Sequence, residues 1–103
     1  MQSTYEASFE REMGCTPSEW LGWLPAAIGA HPWQLHDSSA QVQLDGLCED
    51  ATLTLHWHAL PPRVIALARI PRLQVRFSFH GLDAAQRYSF MKRFDLYLQR
   101  GGG

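Results

Sequence analysis

The sequence predicts a single α+β domain in which a four-stranded antiparallel sheet carries helices on one face. Apolar and polar residues alternate at 52–58 and at 72–80, and apolar residues recur at helical spacing near both ends of the chain. Consecutive strands flanked by helices favour a layered α+β fold, and short connections favour antiparallel pairing. The expected order of elements is α-α-β-β-β-β-α.

The first expected helix begins at a capping box. Ser3 and Glu6 have the spacing at which two side chains satisfy the free backbone N–H groups of a helix start. Tyr5, Phe9 and Met13 then recur every four residues, which predicts one apolar stripe along a helix.

Two further helices are expected. Thr16 and Glu19 form a second capping box, and Pro25 is expected to kink or break the helix that follows. The last helix is expected to begin at Asp83, whose side chain can cap it, and to stop at the glycines that end the chain.

Four strands are expected between these helices. They cover residues 41–45, 52–58, 64–70 and 72–80. The third is apolar on both faces, which predicts a central strand or one covered by a partner. Pro61, Pro62 and Pro71 are expected to end or interrupt strands, because proline has no N–H to donate.

Size and composition are those of one lightly charged domain. The chain has 103 residues, and we expect 1–103 to form a single domain with a flexible glycine tail at 100–103. Charged residues make up 18% of it, below the usual share of about 25%. This composition favours burial of part of the surface against a second copy.

Charge is divided unevenly along the chain. Residues 1–62 hold eight acidic residues and one basic residue, a net charge of −7, whereas residues 63–103 hold eight basic and two acidic residues, a net charge of +6. Such asymmetry is compatible with an acidic partner or with pairing between two copies. Pairing inside the molecule is the simplest expectation.

The sequence favours a soluble, cytoplasmic protein without a membrane partner. It shows no signal peptide and no apolar run near the 18 or so residues that cross a bilayer.

Cys15 and Cys48 fit neither a disulfide-rich scaffold nor a zinc ribbon. Two unreactive thiols are expected, and a single disulfide is the alternative. A thiolate at Cys15 would lie near the positive pole of the helix that follows it.

The candidate binding residues share the sheet face that should point away from the helices: His56, His58, Arg72, Arg76 and His80. Arginine suits two-point contact with carboxylate or phosphate groups. His56 and His58 stand two apart on one strand, so both imidazoles could reach one metal ion, with His80 as a third ligand. No acidic or cysteine ligand follows at a characteristic spacing, and we expect neither a metal nor a cofactor.

Three functions are compatible with these features. The first is a non-catalytic binding or protein-interaction domain that works through this polar sheet face and forms a homodimer. The second is a protein that binds a small acidic ligand, or a minor enzyme, through the histidines and arginines of the sheet face. The third, binding of single-stranded nucleic acid, is disfavoured because Trp57, Phe77 and Phe79 alternate out of phase with the arginines. The phosphate-loop, G-x-S-x-G and HExxH motifs are missing, which argues against the large enzyme classes.

Overall fold

A computed structural model describes residues 4–102 and shows an α+β fold. The elements, in chain order, are β1 (Ser8–Met13), α1 (Pro17–Ile28), β2 (Trp33–His36), β3 (Ser39–Gln43), β4 (Thr52–Ile65), β5 (Ala68–His80) and α2 (Ala84–Gly102). The α+β class and the antiparallel sheet are confirmed. The described residues form five strands rather than four, and two helices rather than three.

The five strands form one antiparallel sheet with the spatial order β1-β5-β4-β3-β2. β2 to β5 follow one another as a meander, and β1 lies at the far edge beside β5. The connection that contains α1 therefore carries the chain from one edge of the sheet to the other. α1 and α2 pack against each other and cover one face of the sheet, and we call the opposite face the open face.

The first predicted helix is wrong, because most of that segment forms β1 at the edge of the sheet. Phe9 and Met13 stand four apart, a spacing that puts two residues on one face of a strand as well as on one side of a helix. Arg11, between them, is half-buried on the same face, as a period of two requires. Ser3, the predicted helix cap, lies outside the described residues.

β4 and β5 continue past the rest of the sheet as a two-stranded hairpin. β4 pairs with β3 only at 52–56 and β5 pairs with β1 only at 73–78, so residues 60–72 have no further strand of the described chain on either side. We call residues 60–72 the arm. The strand predicted at 64–70 is wrong: this segment contains the turn at the tip of the arm, and its apolar residues are exposed on both faces.

The prolines do not end the strands in the way that was predicted. β4 runs through Pro61 and Pro62, and β5 runs through Pro71. A proline costs a ladder hydrogen bond only where its nitrogen would face a paired strand, and the outer edges of the arm have none. A register shift between Leu60 and Arg63 takes up the two consecutive prolines as a bulge.

The two helix starts predicted after β1 are confirmed. The Thr16 hydroxyl accepts a hydrogen bond from the Glu19 backbone N–H, and the Glu19 carboxylate accepts one from the Thr16 backbone N–H. Asp83 and Gln86 exchange the same two bonds at the start of α2. These local bonds depend on sequence spacing alone, which explains why the sequence predicted them.

Other helix and strand ends differ from the predictions. α1 is not broken at Pro25 but continues to Ile28, and the Gly29 N–H donates to the Pro25 carbonyl. α2 extends to Gly102, past the start of the glycine run. β2 was not predicted, because four residues are too few to show a period. Among the described residues, no helix combines the length and the apolarity that crossing a membrane requires.

The core lies between the helices and the covered face of the sheet. Trp20 of α1, Phe77 of β5 and Phe94 of α2 are its largest fully buried side chains. The Phe94 ring meets Phe77 edge-on with 5.6 Å between centroids. Such aromatic pairs contribute about 0.5–1.5 kcal/mol beyond the area they bury. This aromatic layer orients β4 and β5 and leaves their alternate residues on the open face.

A network around Asp95 of α2 holds the N-terminal strand to the helices. The Asp95 carboxylate accepts hydrogen bonds from the Tyr5 hydroxyl at 2.9 Å and from Arg11 Nη1 at 2.7 Å. The Arg11 guanidinium also lies 5.0 Å from the centre of the Phe77 ring. Burial raises the pKa of Tyr5, and the hydrogen bond to Asp95 raises it further.

Two glycine substitutions should have opposite effects on stability. Gly81 has φ +84, and a Cβ there would lie 3.1 Å from the Cα of Ala51. We expect Gly81→Ala to lower the free energy of unfolding by about 1–3 kcal/mol. Gly22 lies inside α1, and a Cβ there would meet nothing within 4 Å. Gly22→Ala should therefore raise stability by about 0.5–1 kcal/mol.

Urea unfolding followed by circular dichroism measures both changes. Both substitutions add one methyl group. If they change the free energy of unfolding in opposite directions, the cause is the backbone conformation and the close contacts of Gly81 rather than the methyl group itself. Equal effects of the two substitutions would contradict this account of the turn between β5 and α2.

Candidate functional site

The strand registers bring polar residues side by side across the open face. Arg76 of β5 stands between His56 of β4 and Glu10 of β1. In the neighbouring row, His58 stands opposite Gln74. Directly opposed residues of antiparallel strands have Cα atoms about 4.5–5.5 Å apart, so the side chains of each row are within reach of one another.

These five residues, Glu10, His56, His58, Gln74 and Arg76, line a cleft of about 550 Å³. We call this the cleft. Its volume falls within the range of small-molecule sites, about 300–1,000 Å³. Both histidines are exposed, so the cleft is open to solvent.

The contacts inside the cleft leave Arg76 weakly held. Gln74 Nε2 donates a hydrogen bond of 2.7 Å to Glu10 Oε2. Arg76 Nη1 lies 3.6 Å from Glu10 Oε1, which is an ion pair but too long for a hydrogen bond. The two side chains are 60% and 50% exposed, and ion pairs at such sites contribute about 0–1 kcal/mol. Breaking this pair therefore costs little free energy.

Three of the predicted binding residues, His56, His58 and Arg76, meet in the cleft, and two do not. The guanidinium of Arg72 donates to Glu12 Oε1 at 2.9 and 2.6 Å and to the Pro61 carbonyl at 3.2 Å. Its donors are thus engaged within the protein.

His80 lies at the other end of β5. It stands opposite Thr52, four residues along the strand from Arg76. That separation is roughly 13 Å, so His80 is too far away to share a ligand with the cleft. Within residues 4–102, no group of three or more His, Cys, Asp or Glu side chains is arranged to hold a metal ion.

Sequence reasoning missed Glu10, the acidic residue of the cleft. The helical period predicted from Tyr5, Phe9 and Met13 leaves Glu10 off the apolar stripe, with no reason to lie beside the sheet. A period of two over residues 8–13 would have put Glu10 and Glu12 on one face of a strand. Their position beside β5 depends on pairing between distant parts of the chain.

Ion pairs within the molecule account for part of the uneven charge distribution between residues 1–62 and 63–103. Glu12 pairs with Arg72 and Arg63, at 2.6 and 3.4 Å, and Glu10 pairs with Arg76. Each pair joins an acidic residue of the first part of the chain to a basic residue of the second. The Glu12 pairs connect β1 to the arm.

The cysteines and the strand aromatics take no part in the cleft. Both cysteines are free thiols, with Cys15 buried and Cys48 exposed. Burial raises the pKa of the Cys15 thiol and the charge of Glu19 raises it further, so the start of α1 does not create a reactive thiolate.

The aromatic side chains of the central strands are buried. Trp57 and Phe77 are 4% and 0% exposed, so neither ring can stack on a nucleic acid base.

No protein-family model, curated protein or solved structure matches this chain.

Glu12→Gln should loosen the base of the arm. The hydrogen bonds from Arg72 hold the pKa of Glu12 below its ordinary value of 4.5, and the charges of Arg72 and Arg63 act in the same direction. Because the folded-state pKa is lowered, the stabilisation is present above pH 4.5 and is lost as pH falls through the lowered pKa. At neutral pH we expect faster hydrogen exchange in residues 60–72 of the variant.

Hydrogen exchange with mass spectrometry measures this change, with each variant compared with the unmodified chain at the same pH. Glu49→Gln, which removes an exposed acid from the loop between β3 and β4, is the control. The difference caused by Glu12→Gln should vanish in acid. A difference that persists there, or that Glu49→Gln also produces, would contradict a role for the Glu12 carboxylate.

Proposed function

We propose that this chain is a protein-interaction domain that forms a homodimer, in which the arm of each copy contacts the other copy. The observation that carries the proposal is the concentration of exposed apolar side chains on the arm. Of the six large apolar side chains that are exposed among the described residues, four belong to the arm: Val64, Ile65, Leu67 and Ile70.

The exposed apolar surface of the arm is an energetic reason for association. Leu67, at the tip, is 102% exposed, and Val64 and Ile65 are 59% and 55% exposed. Full burial of one such side chain contributes about 1.5–3 kcal/mol. A two-stranded hairpin is also only marginally stable in water when nothing packs on it. Contact with a second copy would remove this surface from water and stabilise the arm.

The arm is suited to contact through its side chains rather than through its strand edges. Pro61, Pro62 and Pro71 lack the N–H groups that a strand added at either edge would need. The bulge between Leu60 and Arg63 further interrupts the β4 edge. Prolines and bulges at edges are features by which natural sheets avoid edge-to-edge pairing.

Charge complementarity favours a second copy of this chain as the partner. The arm contains three arginines and no acidic residue, and Arg63 and Arg72 share the single Glu12 carboxylate, so the arm keeps a net positive charge. Exposed acidic residues gather at the opposite end of the sheet, where β4 begins and β5 ends: Glu6, Asp45, Glu49, Asp50 and Asp83. The molecule is elongated, with extents of 49 × 29 × 22 Å. An antiparallel pair brings the arm of each copy beside the acidic end of the other, and a two-fold axis makes the contacts equivalent.

Replacing Ile65 and Leu67 together with serine should convert the dimer into a monomer. Each substitution removes apolar burial from both copies, so we expect the dissociation constant to rise by at least about a hundredfold. Size-exclusion chromatography with light scattering gives the mass. Leu96→Gln, at a 45% exposed leucine of α2, is the matched control and should leave the mass unchanged. Circular dichroism checks that each variant folds.

Reversing the charge of one arm arginine tests how much charge, as distinct from apolar burial, contributes to dimer formation. Arg69 forms no ion pair with another described residue, so Arg69→Glu changes the charge of the arm without breaking a contact within one copy. We expect weaker association at low salt and a smaller difference at high salt. A monomeric unmodified chain at high concentration, or equal loss of mass in Leu96→Gln, would contradict the proposal.

A further inference from the structure

The unused hydrogen-bond donors of the cleft are concentrated on Arg76. A guanidinium carries five N–H groups, and those of Arg76 donate no hydrogen bond to another described residue. The imidazoles of His56 and His58, each of which carries at least one N–H donor, likewise have no hydrogen-bond partner among the described residues. Glu10 already accepts a hydrogen bond from Gln74 through Oε2. A ligand that engages Arg76 and the two imidazole N–H groups supplies acceptors and negative charge.

We propose that the cleft binds a tetrahedral oxyanion, a sulfate ion or a phosphate group, between Arg76, His56 and His58. The planar guanidinium of Arg76 offers two parallel donors to two oxygens of the anion. His56 stands directly opposite Arg76, and His58 is two residues along the same face, roughly 7 Å away. Together they present donors to a small anion from two sides.

The surroundings of the cleft determine how exposed the charge of Arg76 is to a ligand. The charged groups that face His56 and His58 across the open face come from β1 (Glu10, Glu12) and β5 (Arg76). Glu12 is engaged by arm arginines, and Glu10 offsets part of the charge of Arg76 through an exposed ion pair of 3.6 Å. Such an exposed pair contributes little, so an anion can replace the Glu10 carboxylate beside Arg76.

Sulfate is the probe that tests this site, because it is a tetrahedral dianion at neutral pH. Amide and imidazole NMR signals are followed during titration with sulfate, with chloride at equal ionic strength as the reference. We expect saturable shifts at His56, His58 and Arg76. Inorganic phosphate should shift the same signals.

Three variants give effects of different sign. Arg76→Gln should weaken sulfate binding at least about tenfold, because a charge-assisted donor pair is lost. Glu10→Gln should strengthen it, because the opposing carboxylate is removed while the Gln74 contact can be kept. Lys92→Gln removes an exposed cation of α2, on the other side of the sheet, and should leave binding unchanged. Absence of saturable shifts, an unchanged affinity in Arg76→Gln, or weaker binding in Glu10→Gln would overturn the proposal.

The test is independent of dimer formation, because all five cleft residues come from one copy. The Ile65 and Leu67 double serine variant should bind sulfate with the affinity of the unmodified chain. Loss of binding in that variant would overturn the assignment of a complete site to a single copy. Binding by a chain that proves monomeric would support the cleft while contradicting the proposed homodimer.

Discussion

Burial of one face of the sheet beneath α1 and α2 is the constraint on which the rest of the structure depends. Trp57 and Phe77 fill the core, and the residues next to them, His56 and Arg76, must then face outward. A slip of one residue in either strand would bury an imidazole or a guanidinium and expose the aromatic side chains. Because burying those polar groups would cost desolvation free energy, such a register is disfavoured. Packing of the covered face therefore determines which residues lie on the open face.

β1 connects the three parts of the molecule that bear on function. Its successive side chains alternate between faces, so Arg11 reaches Asp95 in the helical layer while Glu10 and Glu12 lie on the open face. Glu10 completes the cleft, and Glu12 holds the base of the arm through Arg72. One short edge strand thereby contributes to the helical layer, the cleft and the arm.

The arm and the cleft share the same two strands. On β5, Ile70 has the same orientation as Arg72, Gln74 and Arg76, because these residues stand two apart. The open face therefore passes along β5 from polar residues to exposed apolar ones without a change of side. A partner that covers the apolar surface of the arm would lie next to the cleft, while the cleft itself is built within one copy.

Local pattern was enough to establish the α+β class, the starts of α1 and α2, and the face on which His56, His58 and Arg76 lie, because capping and alternation depend only on nearby residues. The strand nature of β1, the hairpin at 64–70 and the place of Glu10 were decided by tertiary structure. A spacing of four fits a helix and a strand equally, and apolarity on both sides does not reveal whether another strand lies beside the segment. Long-range pairing with β5 resolves the first ambiguity. For the second, no strand of residues 4–102 lies beside the hairpin at 60–72.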